Sequence, residues 1–467
     1  MDLIIDFING ILWNYVLIYG LLAVGVWFTL KLGFLQFRHF PEFFRLVMQA
    51  PEADKGGITP FQALCTSLAS RVGTGNIAGV AVALSLGGPG AIFWMWVVAL
   101  LGMATAYAES TLAQLYKVRD EEGNFRGGPA FYIANGLKAP WAAVIFSICL
   151  ILAFGLVFNA VQANSIAEAM EGAFGVPKLW VGVAIAVLTG VIIFGGIQKI
   201  AKVAELLVPF MAIAYLLLAI YVMIVNFTEV PGVIALIVKS AFGFEPAVGG
   251  VIGAMLQGIK RGLYSNEAGM GSAPNIAAVA TPQPHHPSSQ GFVQALGVFI
   301  DTILICTATA VLILLSGVLS GAPGMTGAAL TQEAFSVHVG GAGVYFIAIA
   351  VLLFAFTSII GNYAYAENAL SYLNAHGHFW RNALRAGVLL MVVWGAYESV
   401  LTVFNAADAA MGLMASVNLI AIVLLSKVVI KLTRDYLDQK RTGTPRFNSD
   451  DYPELKGQIE SDIWTNK

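Results

Sequence analysis

Long apolar runs separated by short polar connectors repeat along the whole chain. A bilayer core of roughly 30 Å takes about 20 apolar residues per helix. Eleven stretches meet that length, at 9–30, 60–86, 91–116, 140–170, 179–197, 203–226, 247–279, 291–319, 343–373, 383–403 and 407–430. The pattern predicts an all-α polytopic membrane protein of about 11 transmembrane helices. The first run follows Asp2 and Asp6 rather than lysines and lacks an A-x-A site after it, so it is expected to be a retained helix and not a signal peptide.

The basic residues give the runs a direction, because lysine and arginine concentrate in cytoplasmic connectors. With the N-terminus outside, most of the 25 fall inside. Lys31, Arg38, Arg45 and Lys55 occupy the 31–59 connector, Lys117, Arg119, Arg126 and Lys138 the 117–139 connector, and Lys427 to Lys467 the tail. Only Lys178 and Lys239 fall outside, with Arg71, Lys260 and Arg261 inside spans. The expected location is the cell inner membrane, multi-pass, with a cytoplasmic C-terminus. The charged tail after Lys431 is expected to be loosely packed.

Composition agrees with lipid as solvent: 58% of residues are apolar, 11% are charged and the mean hydropathy is +0.78. A net charge of -2 gives no reason to expect nucleic acid. Cys65, Cys149 and Cys306 lie in apolar runs without C-x-x-C spacing, so they read as small core residues and not as a disulfide or zinc framework.

Two runs carry chain-breaking composition at mid-membrane. One reads Ser67-Leu-Ala-Ser-Arg-Val-Gly-Thr-Gly-Asn-Ile-Ala-Gly79 and the other Gly262-Leu-Tyr-Ser-Asn-Glu-Ala-Gly-Met-Gly-Ser-Ala-Pro274. Open backbone in hydrocarbon persists only where it lines a cavity or binds something. Close packing through Gly75-x-x-x-Gly79 is the alternative for either run alone. Together they stand five spans apart, at the head of two five-helix blocks, as an inverted repeat around a midplane site requires. The expected division is 1–59 as an extra helix and connector, 60–226 as the first repeat, 227–246 as an outer connector, 247–430 as the second repeat and 431–467 as the tail. Half-helix N-termini offer N–H groups to a carboxylate, and freed carbonyls suit a hard monovalent cation. One such pair serves a zwitterion and Na+ together.

The stretches Ala69–Gly79, Gly87-Gly-Pro-Gly-Ala91, Tyr264–Pro274 and Phe354–Glu367 resemble the alanine or glycine:cation symporter family, also called sodium:alanine symporters. The resemblance covers roughly Ile58 to Leu425 and implies a leucine-transporter-type fold, a 5+5 inverted repeat with one extra N-terminal helix. It implies symport of a small neutral amino acid with Na+ by alternating access, or with H+ in its place, and no cofactor. It places the substrate carboxylate on the amides around Thr74 and Gly75, with Asn76 nearby. Gln162, or alternatively Asn164, would line the site, and the seventh span would add Asn266, Gly269, Met270 and Gly271. The Na+ site would use carbonyls of Ala69 and Val72 and hydroxyls of Thr357 and Ser358, with no other metal implied. Alanine-selective members resemble Gly-Trp where this chain has Gly361-Asn362, so Asn362 implies a roomier, more polar pocket open to serine or glutamine.

Other polar groups inside the runs are read individually. Arg71 and Glu267 adjoin the breaks and either pair across the site, coupling gating to occupancy, or stand as helix-locking salt bridges or a snorkelling arginine. Lys260 and Arg261 are expected to pair with Glu109, Asp301 or Glu367 in preference to forming a gate. His285 and His286 are expected in a solvated inner loop, and Trp94, Trp96, Trp141, Trp180 and Trp394 as interface anchors. A channel would need a filter motif that the chain does not repeat. An enzyme would need H-E-x-x-H, an elbow G-x-S-x-G or a phosphate loop, and none is present.

Overall fold

A computed structural model describes residues 2–49, 53–54, 56–243, 250–321, 324–374 and 377–464. The start of the 247–279 span, the end of the 227–246 connector, Lys55, Lys467 and parts of the terminal segments lie outside the described residues.

α1 (Ile5–Lys31) and the short α2 (Phe40–Met48) precede the halves of an interrupted helix, α3 (Pro60–Arg71) and α4 (Gly75–Gly87). α5 (Gly90–Leu115) runs into a two-residue ribbon, β1 (Val118–Arg119) with β2 (Phe125–Arg126). Then come α6 (Pro129–Gly136), α7 (Pro140–Phe174), α8 (Lys178–Ile193), α9 (Gly196–Val225) and α10 (Val230–Ala241). A second interrupted pair follows, α11 (Gly250–Asn266) and α12 (Pro274–Val279). The remainder are α13 (Ser288–Ser316), α14 (Gly327–Val339), α15 (Gly341–Tyr372), α16 (His378–Tyr397), α17 (Val400–Leu424) and α18 (Ser426–Thr442). Among the described residues, seven of these are long and apolar enough to cross a membrane: α1, α5, α7, α9, α13, α15 and α17.

α3 lies against α9, α13 and α15, and α11 against α4 and α5, so both interrupted helices share one interior. α3 starts at a capping box, with Thr59 Oγ1 accepting from Gln62 N at 3.1 Å and Pro60 supplying the first helical position. Its entrance is sewn to the exit of α12 by backbone bonds: Ile58 N donates to Val279 O at 3.2 Å and Thr281 N to Ile58 O at 2.9 Å. Gln114 Nε2 and Lys117 Nζ, at the end of α5, both donate to Ala280 O beside this bridge, at 2.8 and 3.1 Å.

The structure corrects several expectations. The predicted boundary between the last two spans, 403 to 407, falls inside α17; the real break is at Glu398 and Ser399, both extended. Asn164 explains it, because its Nδ2 takes the carbonyls of Gly395 and Glu398 at 3.0 and 2.6 Å, while Ser399 caps α17 through Thr402 N. Short helices α2, α10 and α14 occupy segments expected as plain connectors. The tail is packed, not loose. α18 buries Val429, Leu432 and Tyr436, and Phe447 N donates to His285 O at 2.9 Å. Trp464 is fully buried with Nε1 on Leu115 O at 3.2 Å, against the His285 ring and under Lys117 Nζ. Burial pushes the Lys117 ammonium down to about 7. His286, expected in solvent, is also fully buried and bonds Asp435 at 3.2 Å. The tail's charges misled because its apolar residues are spaced to face one side while its lysines and arginines face the other. Cys149 is only half-buried, unlike Cys65 and Cys306.

Emptying the Trp464 pocket is expected to cost about 3–5 kcal/mol. Trp464→Ala therefore lowers the thermal midpoint of the detergent-solubilised protein; an unchanged midpoint would take the tail out of the folded core.

Candidate functional site

The first break opens between Arg71 and Gly75. α3 ends at Val72, whose ψ of 82° leaves the helical range, and α4 restarts with a π-helical turn over Gly75–Gly79. The freed amides are met by side chains. Gly73 N donates to Asn76 Oδ1 at 3.0 Å, and Thr74 N to Gln162 Oε1 on α7 at 3.0 Å. Asn76 Nδ2 then donates to Asp301 Oδ1 on α13 at 2.6 Å, and Ser265 Oγ at the end of α11 donates to Asp301 Oδ2 at 2.7 Å. One buried carboxyl thus holds a residue from each interrupted helix.

The second break passes through three left-handed residues. Glu267, Gly269 and Gly271 have φ of 58°, 88° and 84°, where a side chain is disfavoured. Gly269 N donates to Glu109 Oε1 on α5 at 3.1 Å, and Asn418 Nδ2 on α17 bonds both Glu109 Oε2 at 2.8 Å and Gly269 O at 3.0 Å. Tyr132 holds Asn418 in place through its hydroxyl. The carbonyls of Gly271 and Ser272 are taken by Asn275 Nδ2 at 3.0 and 2.8 Å.

An aromatic and ionic stack closes the site toward the start of α11. Tyr264 packs between Phe158 and Phe404, with ring centroids 4.9 and 5.5 Å away, and its hydroxyl reaches Gln162 Nε2 at 3.3 Å and Thr74 Oγ1 at 3.4 Å. One turn above, Arg261 bonds Asp408 of α17 and lies 4.9 Å over the Phe404 ring. Lys260 Nζ stands 3.5 Å from the same carboxylate. Lys260 and Arg261 therefore pair with Asp408, not with Glu109, Asp301 or Glu367. Arg71 and Glu267 do not form an ion pair: Arg71 Nη1 donates to Gln294 O at 3.1 Å, and the Glu267 carboxyl lies in hydrogen-bond contact with the Ser70 and Ser272 hydroxyls.

The expected site residues fall into two groups. Thr74, Gly75, Asn76 and Gln162 converge, and a Cβ on Gly75 would lie 3.1 Å from Tyr264 Cδ1 and 3.2 Å from Ser265 Cα. Asn266 sits at the end of α11 with a buried, unpartnered Nδ2 among the described residues. Asn362 lies lower, with Nδ2 on Asn159 Oδ1 at 3.1 Å and Oδ1 accepting from Ser70. Gly269, Met270 and Gly271 form the second break, and the two glycines turn their polar backbone to Glu109, Asn418 and Asn275. Of the cation set, Ser358 Oγ donates to Ala69 O at 2.9 Å, Thr357 Oγ1 donates to Phe354 O at 2.8 Å within α15, and Val72 ends α3. Tyr264, Asn159, Asn418 and Asp408 were missed as partners, although Asp408 stands out as an acid inside an apolar run.

A profile of the sodium:alanine symporter family matches residues 1–449. The chain belongs to the sodium:alanine symporter family. Among relatives, the amino-acid carrier protein AlsT of Bacillus subtilis is 51% identical over 97% of this chain and 96% of its own. The probable sodium/glutamine symporter GlnT of the same organism is 49% identical over 96% and 94%. The crystal structure of MhsT in complex with L-phenylalanine superposes with a TM-score of 0.57 at 16% identity, over 80% of this chain and 90% of that one, which places this sodium:alanine symporter in the leucine-transporter-type fold. Membership makes the protein a multi-pass membrane transporter and not an enzyme.

In this symporter the Arg261–Asp408 pair is buried, so removing one partner strands a charge. Asp408→Ala is expected to destabilise the closed arrangement by about 3–5 kcal/mol, read as a lower thermal midpoint and faster dissociation of bound amino acid. A variant indistinguishable from wild type in both would show that the pair seals nothing.

Proposed function

We propose that the chain carries a small neutral amino acid together with Na+ across the cell inner membrane by alternating access. The observation carrying this reading is the pair of opened helices whose released backbone groups lie in one buried interior, tied by Asp301, between α5 and α13 on one side and α7 and α15 on the other. The eleven-span count and the 5+5 inverted repeat belong to this proposal, with 60–226 and 247–430 as the halves, 1–59 and 227–246 as flanking segments, and 431–467 as a cytoplasmic tail. So does an outer N-terminus, supported by the basic connectors.

The amino-acid carboxylate is assigned to the amides of Thr74 and Gly75, within reach of Asn76, Gln162 and Asn266, with Gly269, Met270 and Gly271 shaping the second break. Na+ is assigned to the carbonyls of Ala69 and Val72 with the hydroxyls of Thr357 and Ser358; the Ser358–Ala69 contact supports that grouping. Asn362 and Asn159 give the floor a polar pair. With the name of GlnT, that pair supports glutamine and serine as substrates beside alanine and glycine. Proton coupling is the second reading, favoured by three buried carboxyls, Glu109, Glu267 and Asp301, around one buried Arg71.

In proteoliposomes, uptake of labelled L-alanine is expected to require an imposed Na+ or H+ gradient; uptake that survives collapse of both would reject symport. Replacing Thr357 and Ser358 together by Ala is expected to weaken cation affinity about tenfold and substrate affinity with it, since linkage is reciprocal. An unchanged cation dependence moves the ion elsewhere. Asn362→Trp is expected to cut competition by glutamine at least about tenfold while sparing alanine, and equal competition before and after counts against the floor assignment.

A further inference from the structure

Five side chains form one line beneath the breaks: Asn159 on α7, Asn362 on α15, Ser70 on α3, and Glu267 and Ser272 within the second break. The amide orientations in this line are fixed from one end. Asn159 Nδ2 donates to the carbonyls of Phe154 at 2.8 Å and Gly155 at 3.1 Å, so its Oδ1 faces Asn362. Asn362 must therefore present Nδ2 to it, at 3.1 Å, and turn Oδ1 toward Ser70 Oγ, at 2.6 Å. The same Ser70 hydroxyl lies 2.9 Å from Glu267 Oε1, and Ser272 Oγ lies 2.5 Å from Glu267 Oε2.

A hydroxyl carries one hydrogen. Ser70 faces two acceptors, and an ionised Glu267 would leave one of the two short oxygen–oxygen contacts without a proton between them. A proton on Glu267 Oε1 completes the line: Glu267 donates to Ser70, Ser70 to Asn362, and Asn362 to Asn159. Partly satisfied buried networks are costly and fully satisfied ones are rigid. Among the described residues no basic side chain bonds Glu267: Arg71 attracts its carboxylate only through space and gives its Nη1 hydrogen bond to Gln294 O. The charged or titratable groups that face it are Arg71 on α3, Glu109 on α5, Tyr264 on α11, Asp301 on α13 and Tyr365 on α15, whose hydroxyl also lies beside Ser70 and Glu267.

We propose that Glu267 is a proton-binding site of the transporter, protonated while the breaks are tied together and deprotonated when Ser70 parts from Asn362. In that step the Glu267 O–H bond breaks, the proton passes to water entering between α3 and α15, and the carboxylate remains on the second break. The proposal rests on the symport reading and names the group through which a proton takes part in it.

The test is binding of labelled L-alanine and L-glutamine to purified protein at saturating Na+ across a pH series, for wild type and Glu267→Gln. The carboxamide keeps a donor to Ser70 but does not titrate. Wild-type affinity is expected to fall as pH rises, at most about tenfold per pH unit for one linked proton, while Glu267→Gln holds the low-pH affinity throughout. Wild-type binding that ignores pH, or a Glu267→Gln protein that keeps the wild-type slope, overturns the proposal and leaves symport standing. Absence of sodium-dependent binding at every pH overturns the symport reading and this proposal with it. Should Glu267→Gln fail to fold, the wild type alone decides: adding substrate to weakly buffered protein, at a pH where affinity is falling, takes up a proton if Glu267 binds one, and no uptake overturns the assignment.

Discussion

A main-chain N–H or C=O that faces hydrocarbon without a partner costs several kcal/mol, and this molecule opens its backbone twice near the centre of the bundle. Much of the surrounding polar architecture follows from that. Gln162 and Asn76 take up amides of the first break, and Glu109, Asn418 and Asn275 take up groups of the second. Gln162, Glu109 and Asn418 come from helices that are themselves unbroken, while Asn76 and Asn275 fold back from the interrupted helices, so a continuous frame and the half-helices share the bonds that the breaks require. Asp301 goes further and accepts from both breaks at once.

The two ends of the site are closed by different physics. Toward the start of α11 the seal is made of side chains: the ring of Tyr264 between two phenylalanines, and a buried ion pair of Arg261 with Asp408. Such a seal opens by rotation about side-chain bonds. Toward the basic connectors the seal includes main chain, a hydrogen-bonded line of small polar residues, and the packed tail with Trp464 beneath Lys117. Opening there requires whole helices to move. Glu267 belongs to this second seal, where charging a single carboxyl would unbalance the hydrogen count.

The breaks were legible because glycine and asparagine at mid-membrane conflict with a lipid-facing helix, and the long apolar helices were legible from length alone. The supporting bonds were not. Thr74 meets Gln162 and Asn76 meets Asp301 across distant stretches of chain, and no local pattern announces such pairs. Lys260 and Arg261 were assigned to the wrong acids for the same reason: Asp408 sits among alanines and gives no sign of facing α11. The misplaced boundary near residue 403 came from apolar residues resuming at Val400 directly after the two polar residues of the break, Glu398 and Ser399, where a side chain from α7 supplies the missing partners. The short helices between spans and the folded tail escaped because their faces are set by what they rest on.

The backbone bonds between Ile58 and the residues flanking Ala280 act as a yoke. They couple the entrance of one interrupted helix to the exit of the other, and the end of α5 clasps the same point through Gln114 and Lys117. The two half-helices at this mouth therefore cannot swing independently. They travel as a single jaw, and a displacement that begins at either break is delivered to both.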